Sequence, residues 1–332
     1  MAKAQVNGPG PSDSALFDIV IDLPGDPNIG SDESIGGVTD QTTQLNVRDG
    51  GNVGGVFDAF FGSEVNISGG TVVNFFGAFS GSEVNISGGT VGNNFDANSG
   101  SEVTISGGTV GVNFDAESGS DVELIGGEFL LNGDAFTGPS IILSDSDVFT
   151  GTLQDGSAFV FSFQVGDDLS GVTLTVAALP TFDTTPRVVN TDISAEQRSG
   201  LRAGQSLTLL DGGVLGENFA AIDATLSIEG GGVGNGLETA GSTVNISGGT
   251  VGSFRAFSGS EVNFSGGTVG TDFFNTISGA FSGSVVNISG GTVGIRFFAL
   301  PGSEVNISGG TCLLYTSPSP RDQRGSRMPS SA

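Results

Sequence analysis

The sequence has no histidine and only one cysteine, Cys312. Neither a disulfide framework nor a Cys/His metal site can be built from that inventory. Basic residues are scarce as well: 10 Lys and Arg stand against 36 Asp and Glu, a formal net charge of −26. Binding nucleic acid needs a basic stripe to neutralise phosphates, so no nucleic-acid partner is expected. The acidic balance instead suits divalent cations, or simple solubility in salty surroundings. No apolar run is long enough to span a membrane as a helix, so no membrane span is expected in this chain. The opening residues, Met1 to Pro9, lack the apolar core of a signal peptide. Any export signal is therefore expected outside this sequence.

What the sequence has in abundance is glycine, 58 of 332 residues. That level usually indicates disorder or collagen, but no Gly-X-Y period runs through the chain and Val, Ile, Leu and Phe are plentiful. A regular core then requires the glycines to sit at repeated turns. A repeat is present. The segment Gly62-Ser-Glu-Val-Asn-Ile-Ser-Gly-Gly-Thr71-Val72 recurs almost unchanged from Gly81, Gly100, Gly241, Gly259, Gly283 and Gly302. Val65, Val84, Val103 and Val122 are each 19 residues apart. A second array runs through Leu207, Leu226, Val244, Val262, Val286 and Val305, with one copy stretched by an insertion near Asn275–Gly279.

Inside one unit, Val84 and Ile86 alternate with Glu83 and Asn85, the period of a half-buried strand. Gly88-Gly89 marks a turn where positive φ is cheap for glycine. Val91 opens a second short strand, and Phe95 with Ala97 forms a third. Three short strands cannot bury a face alone, but stacked coils pair in parallel and close a continuous core. The expected fold is all-β, a parallel β-solenoid with coils of about 19 residues in two arrays. Like residues should stack in ladders, Val on Val, Ile on Ile and Phe on Phe.

The expected organisation is an N-terminal segment or cap over 1–30 and a first array over 31–143. Capping strands follow over 144–180, then a linker over 181–200 and a second array over 201–311. Residues 312–332 break a repeat immediately after Gly309-Gly310-Thr311, where valine is due. This tail holds the only Cys and Tyr, and it resembles a translated sequencing-library adapter in read-through. On that resemblance the natural chain departs from this sequence after Thr311 and continues with more coils. Without Arg321, Arg324, Arg327 and Asp322 the chain carries 7 basic and 35 acidic residues, a net charge of −28.

Several outward rows are candidate surfaces. Glu64, Glu83 and Glu102 occupy one position on successive coils, as Glu261 and Glu304 do later. Stacked carboxylates repel, and Ca²⁺, which takes several oxygen ligands, is the one cofactor the pattern could accept. The competing reading is a solvated face with screened charge and amide ladders. Asn66, Asn85, Asn245, Asn263, Asn287 and Asn306 form the neighbouring row. A Thr row runs through Thr71, Thr90, Thr109, Thr250, Thr268 and Thr292, reading most simply as a hydroxyl ladder. Asn66, Asn85, Thr71, Thr90 and Thr109 are the candidate ligand-contacting residues. The six Asn-x-Ser sequons lie in strand centres one coil apart, where glycans would crowd.

The repeats resemble those of Gly/Ser/Asn-rich right-handed parallel β-helix proteins secreted or displayed by bacteria, of planctomycete-surface and autotransporter-passenger type. The resemblance implies an extracellular or cell-surface structural or adhesive module, with polysaccharide or cell-surface glycans as partners and no catalytic role. The alternative is a carbohydrate-active enzyme on the same scaffold, a polysaccharide hydrolase using paired acids. Asp167, Asp168 and Asp192 would be its candidates. Against it, the order of Asn190-Thr-Asp192 and Gly166-Asp-Asp168 is reversed relative to polygalacturonases, and that family's His and Arg-Ile-Lys motifs are missing.

Overall fold

The computed structural model describes residues 17–21, 33–35, 43–143, 147–162, 172–194, 200–270, 278–294 and 297–312. Among these the chain is all β with no helix, a solenoid of about 13 turns with coils roughly 19 residues apart. The alternating pattern does what its period requires. Glu83–Val91 pairs in parallel with Ser63–Val72 on one side and Glu102–Val110 on the other. That register stacks Val65, Val84 and Val103 in one row and Ile67, Ile86 and Ile105 in the next. All six side chains are buried.

The short strands Phe57–Ala59, Phe76–Ala78 and Phe95–Ala97 build the facing wall. Their phenylalanines stack at centroid distances of 5.2 Å (Phe57 to Phe76) and 4.7 Å (Phe76 to Phe95). Phe114 continues the ladder 5.2 Å beyond Phe95.

The two arrays turn their first corner differently. In the first array Ser63–Val72, Glu83–Val91 and Glu102–Val110 run through the Gly-Gly pair as single bulged strands. In the second array the same corner splits each coil, so that Glu261–Phe264 and Thr268–Val269 belong to separate sheets. Glycine is required there on two counts. Gly89 has φ +74°, and a Cβ on it would lie 2.5 Å from the Gly69 carbonyl oxygen of the coil below.

Two boundaries differ from the sequence reading. Phe17–Ile21 pairs in parallel with Thr43–Val47, so coil stacking already begins inside the segment expected as an N-terminal cap. Arg187–Val189, expected as linker, pairs in parallel with Ser206–Leu209 and is the first rung of the second array. At the other end, Cys312 takes the register position opposite Val293, and residues 313–332 lie outside the described residues.

Between the arrays, Val148–Leu153 and Ala158–Ser162 form an antiparallel hairpin on the last long strand of the first array, Asp121–Leu131. Both hairpin strands are buried nearly throughout, because they are covered on two faces. Successive side chains point opposite ways. Phe149, Leu153, Phe159 and Phe161 enter the first array's core, where Phe161 stacks 5.1 Å from Phe114 and completes the aromatic ladder. Val148, Ala158 and Val160 face outward and pack on Ala220, Ile222 and Phe257 of the second array. The hairpin is thus both a cap and an adhesive plate.

That contact lays the arrays side by side rather than end to end. Thr71, Thr90 and Thr109, from three successive coils of the first array, share a cavity with Leu207, Val214 and Gly232 of the second. Coaxial stacking could not bring those coils together.

Candidate functional site

The polar rows leave the stacked strands toward two different surroundings. Glu64, Glu83 and Glu102 align in register with Asp121 along the long strands of the first array. Asn66 Nδ2 donates to Glu64 Oε1 (2.8 Å), and Asn85 Nδ2 donates to Glu83 Oε1 (3.1 Å) and Asn66 Oδ1 (3.2 Å). Gln44 Nε2 donates to Glu64 Oε1 from the preceding coil at 2.7 Å. In the second array the amides of Asn245, Asn263, Asn287 and Asn306 link head to tail at 3.2, 2.9 and 3.0 Å.

Glu64 and Glu83 therefore accept amide donors, and among the described residues no three acidic side chains converge into a group able to hold a metal ion. Removing Ca²⁺ with a chelator is expected to leave the thermal midpoint unchanged; a clear fall would show that cations bridge the Glu row.

The Thr row behaves differently. Thr71, Thr90 and Thr109 sit near or at the ends of the long strands in register, yet they line the seam between the arrays rather than an open outer face. The seam widens there to a groove of about 500 Å³ whose opposite wall includes Arg187, Ile193, Val214, Glu217 and Phe219. Further along both walls it narrows to a crevice of about 120 Å³ between Asn74, Asn93 and Asn113 on one side and Asn235 and Arg255 on the other.

Local backbone chemistry shapes this narrow end. Asn94 (φ 60°) and Asn113 (φ 61°) are left-handed at equivalent corner positions, which asparagine tolerates by local hydrogen bonding. Asn113 Nδ2 donates to Asn94 Oδ1 at 3.0 Å. The equivalent corner residue one coil earlier is Phe75, with φ 65° and 56 % of its surface exposed on the crevice rim. A bulky residue held in that region stores strain, a pattern concentrated at binding surfaces. Phe75→Asn is expected to stabilise the chain by about 1 kcal/mol in denaturant titration; destabilisation would mean that the ring packs more than it strains.

Glu238 and Arg255 are register partners in adjacent coils of the second array, on strands Leu237–Ala240 and Phe254–Ala256. Arg255 Nη1 lies 3.7 Å from Glu238 Oε1, with both side chains buried. Burial pushes the Glu238 carboxyl up to about 7, an effect that the Arg255 charge only partly opposes. Arg255 Nη1 has no hydrogen-bond partner.

Of the candidate acids, Asp192 is exposed, and the hydroxyl and backbone N–H of Ser194 hold its carboxyl below the ordinary range. Asp167 and Asp168 lie outside the described residues.

No family model matches the chain, and no curated protein or solved structure matches it. The seam must be read on its own chemistry.

Sequence reasoning missed Glu238, Arg255 and Phe75. One signal was available. The middle residue of the short third strand is Asp58, Gly77, Asp96 or Asp115 in the first array, and Arg255 breaks that acidic or small pattern.

Proposed function

We propose that the chain is a non-catalytic extracellular structural or adhesive β-solenoid module that holds a glycan in the seam between its arrays. The observation that carries this reading is the groove of about 500 Å³ with the Thr71, Thr90 and Thr109 row along one wall. Adjacent rungs are about 4.8 Å apart, so Thr71 and Thr90, both partly exposed, offer hydroxyls at roughly the spacing of successive sugar units of an extended polysaccharide. Apolar lining from Ile193 and Phe219 suits the C–H faces of the sugar rings. The Val, Ile and Phe ladders only hold the rods together, and the Glu and Asn rows keep their outer surfaces solvated.

Affinity electrophoresis through gels carrying a panel of polysaccharides tests this. Retardation is expected on at least one, with reducing ends constant throughout. Thr90→Val, which keeps volume and removes the hydroxyl, should weaken retention roughly fivefold to tenfold. Free migration on every polysaccharide would overturn the reading, as would retention indifferent to both Thr90→Val and Thr71→Val.

A further inference from the structure

We propose that the outer face of the first array's short third strands docks a basic protein segment, seating an arginine side chain between Asp58 and the rings of Phe60 and Phe79. The position that follows the inward Ala59, Ala78, Ala97 or Ala116 carries the signal. In the second array the equivalent residues are Ile222, Ala240, Phe257 and Phe281 on successive coils, and all four pack with Val148, Ala158 and Val160 of the hairpin. In the first array the position is polar on the two later coils, Asn98 and Glu117, but aromatic on the two earlier ones, Phe60 and Phe79. Neither ring belongs to a buried apolar cluster. They stack on each other at 4.9 Å, half-exposed, beside Phe61 at 53 % exposure. The second array shows what this position holds under a cover, and the first array offers the same face uncovered. A contiguous exposed apolar patch of this kind marks an interaction site.

What covers the patch is set by Asp58, which lies within it. Asp58 is in register with Gly77, where an added Cβ would lie 2.7 Å from Phe79 Cε2 and 2.8 Å from Asp58 Oδ1. Ring and carboxylate thus flank one point above a bare backbone. Burial holds the Asp58 carboxyl above the ordinary range, and no hydrogen-bond or ion-pair partner among the described residues opposes that shift. No Lys or Arg occurs anywhere in residues 49–186, and exposed Asp96 and Glu117 extend the same face. A half-buried carboxylate without a partner gains most from a cation that also covers the rings beside it. Arginine meets both demands, since a guanidinium pairs with a carboxylate through two N–H donors and stacks on aromatic faces.

The same features disfavour the simpler occupants. A second copy would bring another chain of net charge −26 and, in a symmetric pairing, set Asp58 against its own counterpart. A neutral lipid surface would cover the rings but leave Asp58 desolvated and unpaired.

The test titrates the full chain, at physiological salt, with a short peptide of alternating arginine and leucine and with its glutamine–leucine counterpart. Only the arginine peptide is expected to bind. Asp58→Asn, isosteric and uncharged, should weaken it about tenfold, and so should Phe79→Asn, which installs the residue that this position already carries at Asn98. Glu102→Gln removes the same charge from an exposed site on another wall and should change affinity less than about twofold. Should Phe79→Asn lose the fold by circular dichroism, Phe60→Asn takes its place and must weaken binding to the same degree. No binding of the arginine peptide overturns the proposal. An Asp58→Asn effect no larger than that of Glu102→Gln would reduce the attraction to bulk charge and overturn the site, as would binding indifferent to the aromatic variants. Dimerisation of the free chain, or uptake by phosphatidylcholine vesicles, that the aromatic variants abolish would give the face to a second copy or to a lipid surface and overturn the basic partner.

Discussion

Phe95→Ala is expected to lower the stability of the first array by about 3 to 5 kcal/mol, the range for truncating a buried aromatic. Phe95 is fully buried, with Phe76 at 4.7 Å and Phe114 at 5.2 Å. Removing it opens a void in a ladder that runs from Phe57 into the capping hairpin through Phe161. Solenoid stability is close to a sum of coil and neighbour-interface contributions, so the loss should be felt first in the coils on either side. Urea unfolding followed by hydrogen exchange reads both the size and the place. Phe61→Ala is the control: Phe61 is 53 % exposed, and its removal should change stability by less than about 0.5 kcal/mol. Similar costs for the two variants would mean that the aromatic ladder does not carry the rod.

The second large effect is a dependence on pH centred on the seam. Buried Glu238 has its carboxyl raised to about 7 from an ordinary value of 4.5. A group whose folded-state pKa is raised binds more protons folded than unfolded. Its contribution to stability is therefore full below about 4.5 and is lost as pH rises through about 7. A shift of that size corresponds to a few kcal/mol, on the order of 3.

Asp58 and Asp223 are raised by burial and act in the same direction. Exposed Asp183 and Asp192 are lowered through hydrogen bonds from Thr185 and Ser194, and their opposing effect falls below this window. The chain should be markedly more stable at pH 5 than at pH 8, and Glu238→Gln should flatten that slope. A slope unchanged by Glu238→Gln would place the titrating group elsewhere.

Most of the fold could be read from the repeat because stacking makes one pattern speak many times. Val84 over Val65 and Phe95 over Phe76 follow from a fixed spacing and the need to pair strands in register. The doubly buried hairpin was visible as the apolar run from Ala158 to Phe163, and its capping role follows from its place between the arrays. Its second role was not visible. Whether Val160 faces solvent or another rod depends on where the second array swings back, and no local pattern encodes that.

The same gap explains the site. Thr71, Thr90 and Thr109 could be found as a row, but a row looks alike on a free face and in a seam. Glu238 and Arg255 are single departures from the repeat, and their meaning comes only from the wall opposite. The Glu and Asn rows needed no such context, since their partners are the coils above and below.

The seam exists only if the two arrays lie side by side, so small-angle scattering in solution is the most direct test. Rungs about 4.8 Å apart give a single file of about 13 turns a length of about 60 Å, against roughly half that for two parallel files. A cross-section of two rods and the shorter length are the predicted result. A single-rod cross-section with the full length would contradict the seam, and with it every site placed there.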